Sequence, residues 1–367
     1  GLVTSDAATT NSGILSRTAL VQAGFNIVSL FSPEHGISAK APDGEAQQNG
    51  IDQITGLPII SLYGSKYMPT AQDLENIDIV LFDIPDIGAR FYTYLWTLTY
   101  VLEACALFHK QLIVLDRPNP VSGNFNCSEG PFLEDDSSSF IGRWNIPIKH
   151  SCTLGELALY FNSTKNIGAN LSVISVKNWG RNLFVTDWET KFVPTSPAIQ
   201  SPNSMHLYPG LCLLEATNLS EGRGSQFSFE CVAAPWLQTN EIASFINQSF
   251  GDEIKASSIS FTPTSGKYAH SLCKGIHFEV IDPEYFKPVF FGLLIVYMIR
   301  AKHPQQFMWA PYKTAVNPSG ENHLDKLLGL HNAQALFDLP LPQFIARCTK
   351  LTHCAGWQEQ MEPHLLY

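Results

Sequence analysis

The sequence predicts an α/β fold, with a doubly wound parallel sheet in the first half of the chain and a second, different unit after it. Short apolar runs alternate with helical stretches through the first half, which is typical of strands joined by crossover helices. The length of 367 residues suits two or three domains. Hydrophobic residues make up 45% of the chain and charged residues only 15%, so the protein can bury a large core.

The elements of the first half follow from the lengths of their apolar runs. A helix is predicted over residues 14–23, and a crossover helix rich in aromatic residues over 89–110. Strands are predicted at residues 2–5, 26–32, 58–62, 77–84 and 111–116. Connections between parallel strands are right-handed, so several strand ends meet at one edge of the sheet. Ligands of open α/β sheets bind at that edge.

The second half is more mixed. A helix near residues 154–161 and a strand near 171–176 continue the alternation. Residues 194–209 are rich in Pro, Ser and Asn, which predicts a linker or an exposed crossing. A second unit is predicted from about Leu211 onward. Its helices are predicted at residues 241–250 and, deeply buried, 287–302.

Charge and hydropathy argue against two kinds of partner. The chain has 23 Lys and Arg against 33 Asp and Glu, a net charge of -10, whereas nucleic-acid binding needs clustered positive charge. The longest apolar run, residues 289–299, is too short to cross a bilayer, so no transmembrane segment is predicted. The chain shows no signal peptide, but it opens on what resembles the middle of a first strand. We therefore expect that the native start has been removed.

The absence of several known sequence motifs argues against some classes of enzyme. The sequence contains no G-x-G-x-x-G after the first strand and no Walker-type motif, which argues against a dehydrogenase or a kinase. G-x-S-x-G and H-E-x-x-H are absent as well. The eight cysteines form no C-x-x-C pair and have no zinc-like spacing, so we expect buried free thiols. No cofactor and no metal are predicted.

The first candidate site follows the strand predicted at 26–32. Glu34 and His35 lie between Pro33 and Gly36, so a carboxyl group and an imidazole stand on a sharp turn just past a strand end. Two titratable groups there suit proton transfer. The alternative is a carboxylate that caps a helix beside a surface histidine.

Two further strand ends are equally polar. One carries Asp83, Asp86 and Arg90, and the other carries Asp116, Arg117 and Asn119. Together with Glu34, these residues predict a cleft at the carboxyl edge of the sheet. The alternatives are an intrahelical ion pair between residues 86 and 90, and a rigid turn with a local salt bridge at 116–120.

The last candidate is the segment 207–225. Its apolar start predicts a strand that delivers Glu215 and Asn218 to a glycine-rich loop with Glu221 and Arg223. Carboxylates next to Arg, Asn and Gly on one loop favour ligand recognition over packing, because polar loops often carry function. The alternative is a purely structural loop.

These segments resemble one family. Residues 31–36, 83–94, 115–120 and 207–224 are similar to motifs of the exo-acting β-N-acetylmuramidases of glycoside hydrolase family 171. The resemblance implies a Rossmann-like catalytic domain over residues 1–195 and a smaller α+β C-terminal domain over 196–367 that closes the cleft. It also implies release of N-acetylmuramic acid from the non-reducing end of peptidoglycan fragments. Two departures stand out: Pro85 replaces the family's Gln, and its S-P-N motif matches either 196–198, with Ala198 for Asn, or 201–203.

The resemblance also suggests roles. Glu34 is the family's presumed catalytic glutamate and our candidate general acid, with His35 orienting it or touching the sugar. If the 2-acetamido group of the sugar is the internal nucleophile, Glu215 or Glu221 would orient it as a catalytic residue; the alternative is direct attack by a protein carboxylate. Arg90, Arg117 and Arg223 are candidates to bind the lactyl carboxylate. Residues expected to contact the sugar are Tyr92, Tyr94, Tyr208, Asp83, Asp86, Asp116, Asn119 and Asn218.

The expected partners are peptidoglycan fragments and muropeptides. Since peptidoglycan lies outside the cytoplasmic membrane, the substrate implies a periplasmic or extracellular location. The main alternative function is a non-catalytic binding protein for cell-wall sugars that keeps the same cleft. A nucleotide-dependent oxidoreductase would rest on the sheet alone, and a fold does not carry a function.

Overall fold

The computed structural model describes the backbone of residues 1–367 and the side chains of residues 1–134 and 136–367. The strands are β1 (Leu2–Thr4), β2 (Leu30–Ser32), β3 (Gly50–Ile51), β4 (Pro58–Ser61), β5 (Ile79–Asp83), β6 (Gln111–Leu115), β7 (Asn170–Ile174), β8 (Cys231–Ala234), β9 (Ile254–Phe261) and β10 (Cys273–Val280). The α-helices are α1 (Ser16–Gln22), α2 (Tyr94–Leu107), α3 (Leu154–Thr164), α4 (Pro202–Leu211), α5 (Asn240–Phe250), α6 (Pro288–Lys302), α7 (His323–Leu328), α8 (Leu341–Thr352) and α9 (Trp357–Met361).

The first half forms one sheet with the strand order β3-β4-β2-β1-β5-β6-β7. All neighbours are parallel except β3, which pairs antiparallel with β4. The order reverses at β1, so Val3 pairs with Phe31 on one side and Phe82 on the other. The predicted α/β fold is confirmed. Its switch point places the turn after β2 at the edge where such sheets bind ligands.

The second unit is a three-stranded antiparallel sheet, β8-β10-β9, packed against helices. Here α5 contacts β9, while α6 packs against α4 and α8. The chain then returns to the first sheet, where the indole nitrogen of Trp357 donates to the carbonyl of His150 at 2.8 Å. The two units share one continuous apolar core. The boundary at residue 195 remains a prediction.

One predicted strand is wrong. The apolar run that begins at Leu207 lies in α4 and continues into a 3₁₀ turn, Cys212–Ala216. Ser201 caps α4 by accepting the N–H of Ser204 at 2.9 Å, and Pro202 occupies the first turn, where a missing N–H costs nothing. The linker predicted at 194–209 is therefore wrong in its second half.

Helices α4 and α6 touch backbone to backbone. A Cβ on Gly210 would lie 1.9 Å from the carbonyl oxygen of Pro288, and a Cβ on Gly292 would lie 2.3 Å from that of Gly210. Only glycine fits at both positions. This close crossing fixes α4, and with it the 3₁₀ turn that carries Glu215.

Two other predictions concern the whole chain. All eight cysteines are free and seven of them are buried, as predicted. Among the described residues, no helix is long and apolar enough to cross a membrane.

Candidate active site

A cavity of about 500 Å³ opens between the carboxyl edge of the sheet and the second unit. One side is formed by the turn after β2, the end of β4 and the start of α2. The opposite side is formed by α4 and its 3₁₀ turn, the loop at 223–229, and the segment 312–327. Of the residues predicted from the sequence, those that line this cavity are Glu34, His35, Tyr92, Tyr208, Glu215 and Arg223.

Glu34 lies in the wall formed by the first unit and is only 7% exposed. One carboxyl oxygen accepts the N–H of Gly44 at 2.7 Å, and the other accepts the hydroxyl of Thr93 at 2.5 Å. Thr93 immediately precedes α2, so the carboxyl group is held by two different chain segments. The alternative of Glu34 as a simple cap of the following helix does not fit this geometry, since the residues after it form a turn.

Neighbouring side chains complete the surroundings of Glu34. The buried Tyr63 hydroxyl hydrogen-bonds to Glu34, and burial together with this carboxylate raises the pKa of Tyr63. His35 has a left-handed backbone, with φ of 67°. Its ring Nδ1 lies 2.8 Å from the carbonyl oxygen of Ala41. This contact ties the turn to the loop that supplies Gly44, so His35 shapes the wall around Glu34.

An ion-pair cluster centred on Arg223 forms the opposite wall. Its guanidinium contacts Glu215 at 2.7 Å, Glu221 at 3.0 Å and Asp43 at 3.2 Å. The guanidinium carbon, Cζ, also lies 4.6 Å from the centre of the Phe229 ring. Burial lowers the pKa of Arg223, but Tyr312 and the three carboxylates together raise it well above its usual value. The cluster as a whole is negative.

Glu215 is held in its ionised form. Burial alone would raise its pKa, but the charge of Arg223 and a 3.0 Å hydrogen bond with the His323 ring lower it to about 2. His323 in turn stacks on Tyr312, with ring centres 4.8 Å apart. A carboxylate with a pKa near 2 carries its negative charge at any physiological pH.

Glu221 lies behind Glu215 and does not line the cavity. The Lys267 ammonium donates to Glu221 at 3.2 Å and to the carbonyl oxygens of Leu214 and Leu219 at 2.7 and 2.8 Å. Burial would raise the pKa of Glu221, but the charges of Lys267 and Arg223 lower it. Lys267 thus fixes the 3₁₀ turn that presents Glu215.

Aromatic rings line the cavity between the two walls. Tyr208 contacts Phe91, Tyr92 and Phe229 edge to face, with ring centres 4.7–5.8 Å apart. The Tyr92 hydroxyl donates to the Thr195 hydroxyl at 2.8 Å. Aromatic faces suit the apolar faces of sugar rings, so this wall fits the predicted role of Tyr92 and Tyr208.

Arg90 lies away from the cavity. Its guanidinium is fully buried and donates to the carbonyl oxygens of Pro131, Ile146 and Leu327 at 2.7–2.9 Å. Burial lowers the pKa of Arg90 to about 9. The interpretation of Arg90 as a carboxylate-binding residue is therefore not supported, and neither is the intrahelical pair with Asp86. Arg90 instead satisfies backbone carbonyls where the two units meet.

The polar residues at the ends of β5 and β6 bind one another or the backbone. Arg117 donates to Asp83 at 2.6 Å and to the carbonyl of Thr9 at 3.2 Å. Asn119 donates to the carbonyl of Cys152 at 3.0 Å. The structure places these residues outside the cavity wall, so direct sugar contact by Asp83, Arg117 or Asn119 is not supported.

Four more predicted residues also lie outside the cavity. Asp86 accepts the N–H of Gly88 at 2.9 Å, and Asp116 accepts the Tyr367 hydroxyl at 2.8 Å. Burial raises the pKa of Asp116 to about 6. Asn218 exchanges hydrogen bonds with the backbone of Gln306 and Met308. Tyr94 is fully buried and donates to the Thr195 carbonyl at 2.8 Å.

Several cavity residues had not been predicted. Among them are Asp43, Tyr63, Thr93, Tyr312, His323 and Lys326. Tyr63 follows β4, and Asp43 precedes Gly44 in a turn-forming Pro-Asp-Gly run in the loop after β2. Both therefore lie after the carboxyl end of a strand, where ligand-binding residues were expected. Tyr312 and His323 lie in a region without a periodic pattern, and no sequence signal pointed to them. Among the described residues, no group of three or more His, Cys, Asp or Glu could hold a metal ion.

Comparisons with known proteins show the family of the chain. Residues 1–203 match the family model described as exo-beta-N-acetylmuramidase NamZ, N-terminal, and residues 206–367 match its C-terminal counterpart. A curated relative, the peptidoglycan beta-N-acetylmuramidase NamZ of Bacillus subtilis strain 168, is 40% identical over 281 residues, which are 77% of this chain and 67% of the relative.

Two crystal structures from Bacteroides fragilis NCTC 9343 are similar over the whole chain. Both are DUF1343 family proteins, and 93% of each is covered. One has a TM-score of 0.85 at 27% identity. The other has a TM-score of 0.71 at 24% identity, which shows the fold alone.

The fold, the carboxyl groups of the cavity and these relatives define a glycoside hydrolase. The chain belongs to the exo-β-N-acetylmuramidase NamZ family, as both of its family models and the Bacillus relative show.

Proposed function

We propose that the protein releases N-acetylmuramic acid from the non-reducing end of peptidoglycan fragments, with Glu34 as the general acid. The observation that carries this proposal is the position of Glu34, a buried carboxyl group in the wall of a 500 Å³ cavity that also has an aromatic wall. The name of the Bacillus relative supports the substrate class.

The acid step needs a proton donor whose conjugate base is stabilised. Glu34 gives its proton to the glycosidic oxygen as the bond to the leaving sugar breaks. The carboxylate that remains keeps the N–H of Gly44 and the hydroxyl of Thr93 as donors. Two hydrogen bonds from fixed donors hold the group in place and stabilise its charge after proton transfer.

The second carboxylate has the opposite task. As the bond breaks, positive charge develops on the sugar ring, and a group with fixed negative charge stabilises it. Glu215 fits because Arg223 and His323 keep its pKa at about 2. Its charge is also available to orient the acetamido N–H of the substrate.

Exo-action requires that one end of the cavity is closed. The loop that contains Gly44 is joined to the segment that contains Tyr312. The N–H of Ala315 donates to the Gly44 carbonyl at 2.7 Å, and the Tyr312 hydroxyl donates to Asp43. We propose that this junction blocks the cavity beyond the terminal sugar. Because the substrate lies outside the cytoplasmic membrane, the proposal includes a periplasmic or extracellular location.

The test uses three substrates, one active-site variant and one control variant. The purified protein should release the chromophore from an aryl β-N-acetylmuraminide much faster than from the matching N-acetylglucosaminide. With the disaccharide N-acetylmuramyl-β-1,4-N-acetylglucosamine, Glu34→Gln should lower kcat by about 10²–10⁴, the usual contribution of a general acid. The matched control is Glu103→Gln, which removes a carboxylate that pairs with Arg143 outside the cavity and should keep wild-type activity.

Two results would contradict the proposal. One is a Glu34→Gln variant as active on the disaccharide as the wild type. The other is tight binding of muropeptides by the wild type with no turnover, which would favour the alternative of a non-catalytic binding protein.

A further inference from the structure

Two lysines of the cavity wall make no ion pair among the side chains described. Of the arginines proposed for the lactyl carboxylate, only Arg223 reaches the cavity, and three carboxylates already surround it. A substrate carboxylate placed there would face net negative charge. The lysines that line the cavity are Lys40 and Lys326, and neither makes an ion pair among the side chains described.

Lys326 is the better placed of the two. It is half-buried on α7, and its ammonium donates to the Asn317 side-chain oxygen at 3.2 Å and to the Glu321 carbonyl at 2.6 Å. Both acceptors are neutral, and the nearby carboxylates of Asp325 and Glu321 make no ion pair with the ammonium. The ammonium has three donors, which leaves one for a ligand. Lys40 is exposed and no such contact fixes it.

The neighbours of Lys326 also suit this role. His323 lies three residues earlier on α7, on the same face of the helix, and bonds to Glu215. In the sugar, C3 is bonded to C2, the carbon that carries the acetamido group, so a group that binds a C3 substituent is expected close to Glu215. The lactyl ether of N-acetylmuramic acid is attached at C3.

We propose that Lys326, held by Asn317, forms the subsite that binds the lactyl carboxylate of the terminal sugar. This inference rests on the proposed function and names the residue that distinguishes N-acetylmuramic acid from N-acetylglucosamine. It gives the cavity the positive charge that Arg223 is unable to supply.

The test compares an aryl β-N-acetylmuraminide with its lactyl methyl ester, which keeps the shape and loses the charge. The wild type should prefer the acid in kcat/KM by about 10- to 100-fold, the range of a hydrogen bond to a charged group. Lys326→Gln should remove most of this preference by raising KM for the acid, whereas Lys326→Arg should retain part of it. Lys313→Gln is the matched control, since this exposed lysine lies beside Tyr312 but outside the cavity wall.

The outcomes distinguish carboxylate binding by Lys326 from a structural role of Lys326, from binding by Lys40, and from failure of the hydrolase proposal. A purely structural role of Lys326 would lower activity on acid and ester equally, and that result overturns the proposal. Loss of the preference in Lys40→Gln instead also overturns it. Calorimetric binding of free N-acetylmuramic acid and N-acetylglucosamine gives an independent measure. Binding that depends on Lys326 in a protein without turnover would contradict the hydrolase proposal alone.

Discussion

At the scale of single residues, the site contains two buried carboxyl groups in different surroundings. Glu34 contacts neutral donors, the Gly44 N–H and the Thr93 hydroxyl, while Glu215 contacts Arg223 and His323. The cationic surroundings of Glu215 lower its pKa and keep this carboxylate charged. Pairs with such divergent surroundings are how glycosidases divide acid and stabiliser roles between like residues.

The low pKa of Glu215 predicts how stability depends on pH. Its pKa falls from 4.5 to about 2 on folding, so ionised Glu215 stabilises the folded protein above pH 4.5, and this contribution is lost as the pH falls toward 2. A shift of this size corresponds to about 3 kcal/mol. Urea unfolding between pH 2 and 6 should show this loss in the wild type and a smaller one in Glu215→Gln.

The control for that measurement is another buried carboxyl group. Burial raises the pKa of Glu129, although the N–H groups of Val289 and Phe290 partly offset this effect. Glu129→Gln should therefore keep the acid-side loss of stability. Equal pH slopes for the wild type and Glu215→Gln would show that Glu215 is not held in its ionised form.

A cavity residue could be predicted from the sequence where Pro, Gly or an apolar run beside it marks the end of a strand or the start of a loop. Glu34, between Pro33 and Gly36 after an apolar run, lines the cavity, and so does Glu215; their catalytic roles stay predictions. Arg90 and Arg117 donate instead to nearby carbonyls and a carboxylate, and a sequence does not show where the donors of a cation at a strand end will go.

At the scale of elements, the loop between β2 and β3 decides the geometry of Glu34. Gly44 donates its N–H to Glu34 and has a left-handed φ of 69°. A Cβ at this position would lie 2.7 Å from the Cβ of Thr314 in the second unit. Only glycine at this position therefore allows the loop to contact the second unit and, at the same time, to donate its N–H to Glu34.

Gly44→Ala should displace the loop and weaken the hold on Glu34. We expect kcat/KM to fall by about 100-fold, as is typical when a reacting group moves by about an ångström. Gly13→Ala is the matched control, because Gly13 has a similar φ of 80° but an open position with no atom within 4 Å of a new Cβ. The control should lose about 1 kcal/mol of stability and keep its activity. Activity that is equal in both variants would contradict the role of the loop.

The incorrect strand at 207–215 has a clear cause. A short apolar run fits a buried strand and a buried helix equally well. The residues that distinguish a helix from a strand here precede the apolar run: Ser201 caps the helix and Pro202 begins it. Because α4 packs closely on α6 through these glycines, most sides of α4 are buried. The helix therefore has no polar face, and its sequence lacks the alternation of apolar and polar residues that identifies a helix.

At the scale of the whole molecule, the cavity depends on contacts between distant parts of the chain. Glu34 belongs to the first unit, and His323 and Lys326 belong to α7, near the end of the chain. Arg90 links these parts by donating to Leu327 on α7 and to Pro131 and Ile146 in the first unit. The sequence predicted the sheet and the general position of the cleft. It did not predict which late residues complete the cavity, because this depends on long-range packing.

The central claim is that Glu34 donates the proton, and leaving-group dependence tests it most directly. A dinitrophenolate leaves without protonation, whereas the hydroxyl of a sugar leaves only with it. Glu34→Gln should therefore lose about 10²–10⁴ in kcat on the N-acetylmuramyl disaccharide and much less on a 2,4-dinitrophenyl β-N-acetylmuraminide. An equal loss on both substrates would contradict the assignment of Glu34 as the acid.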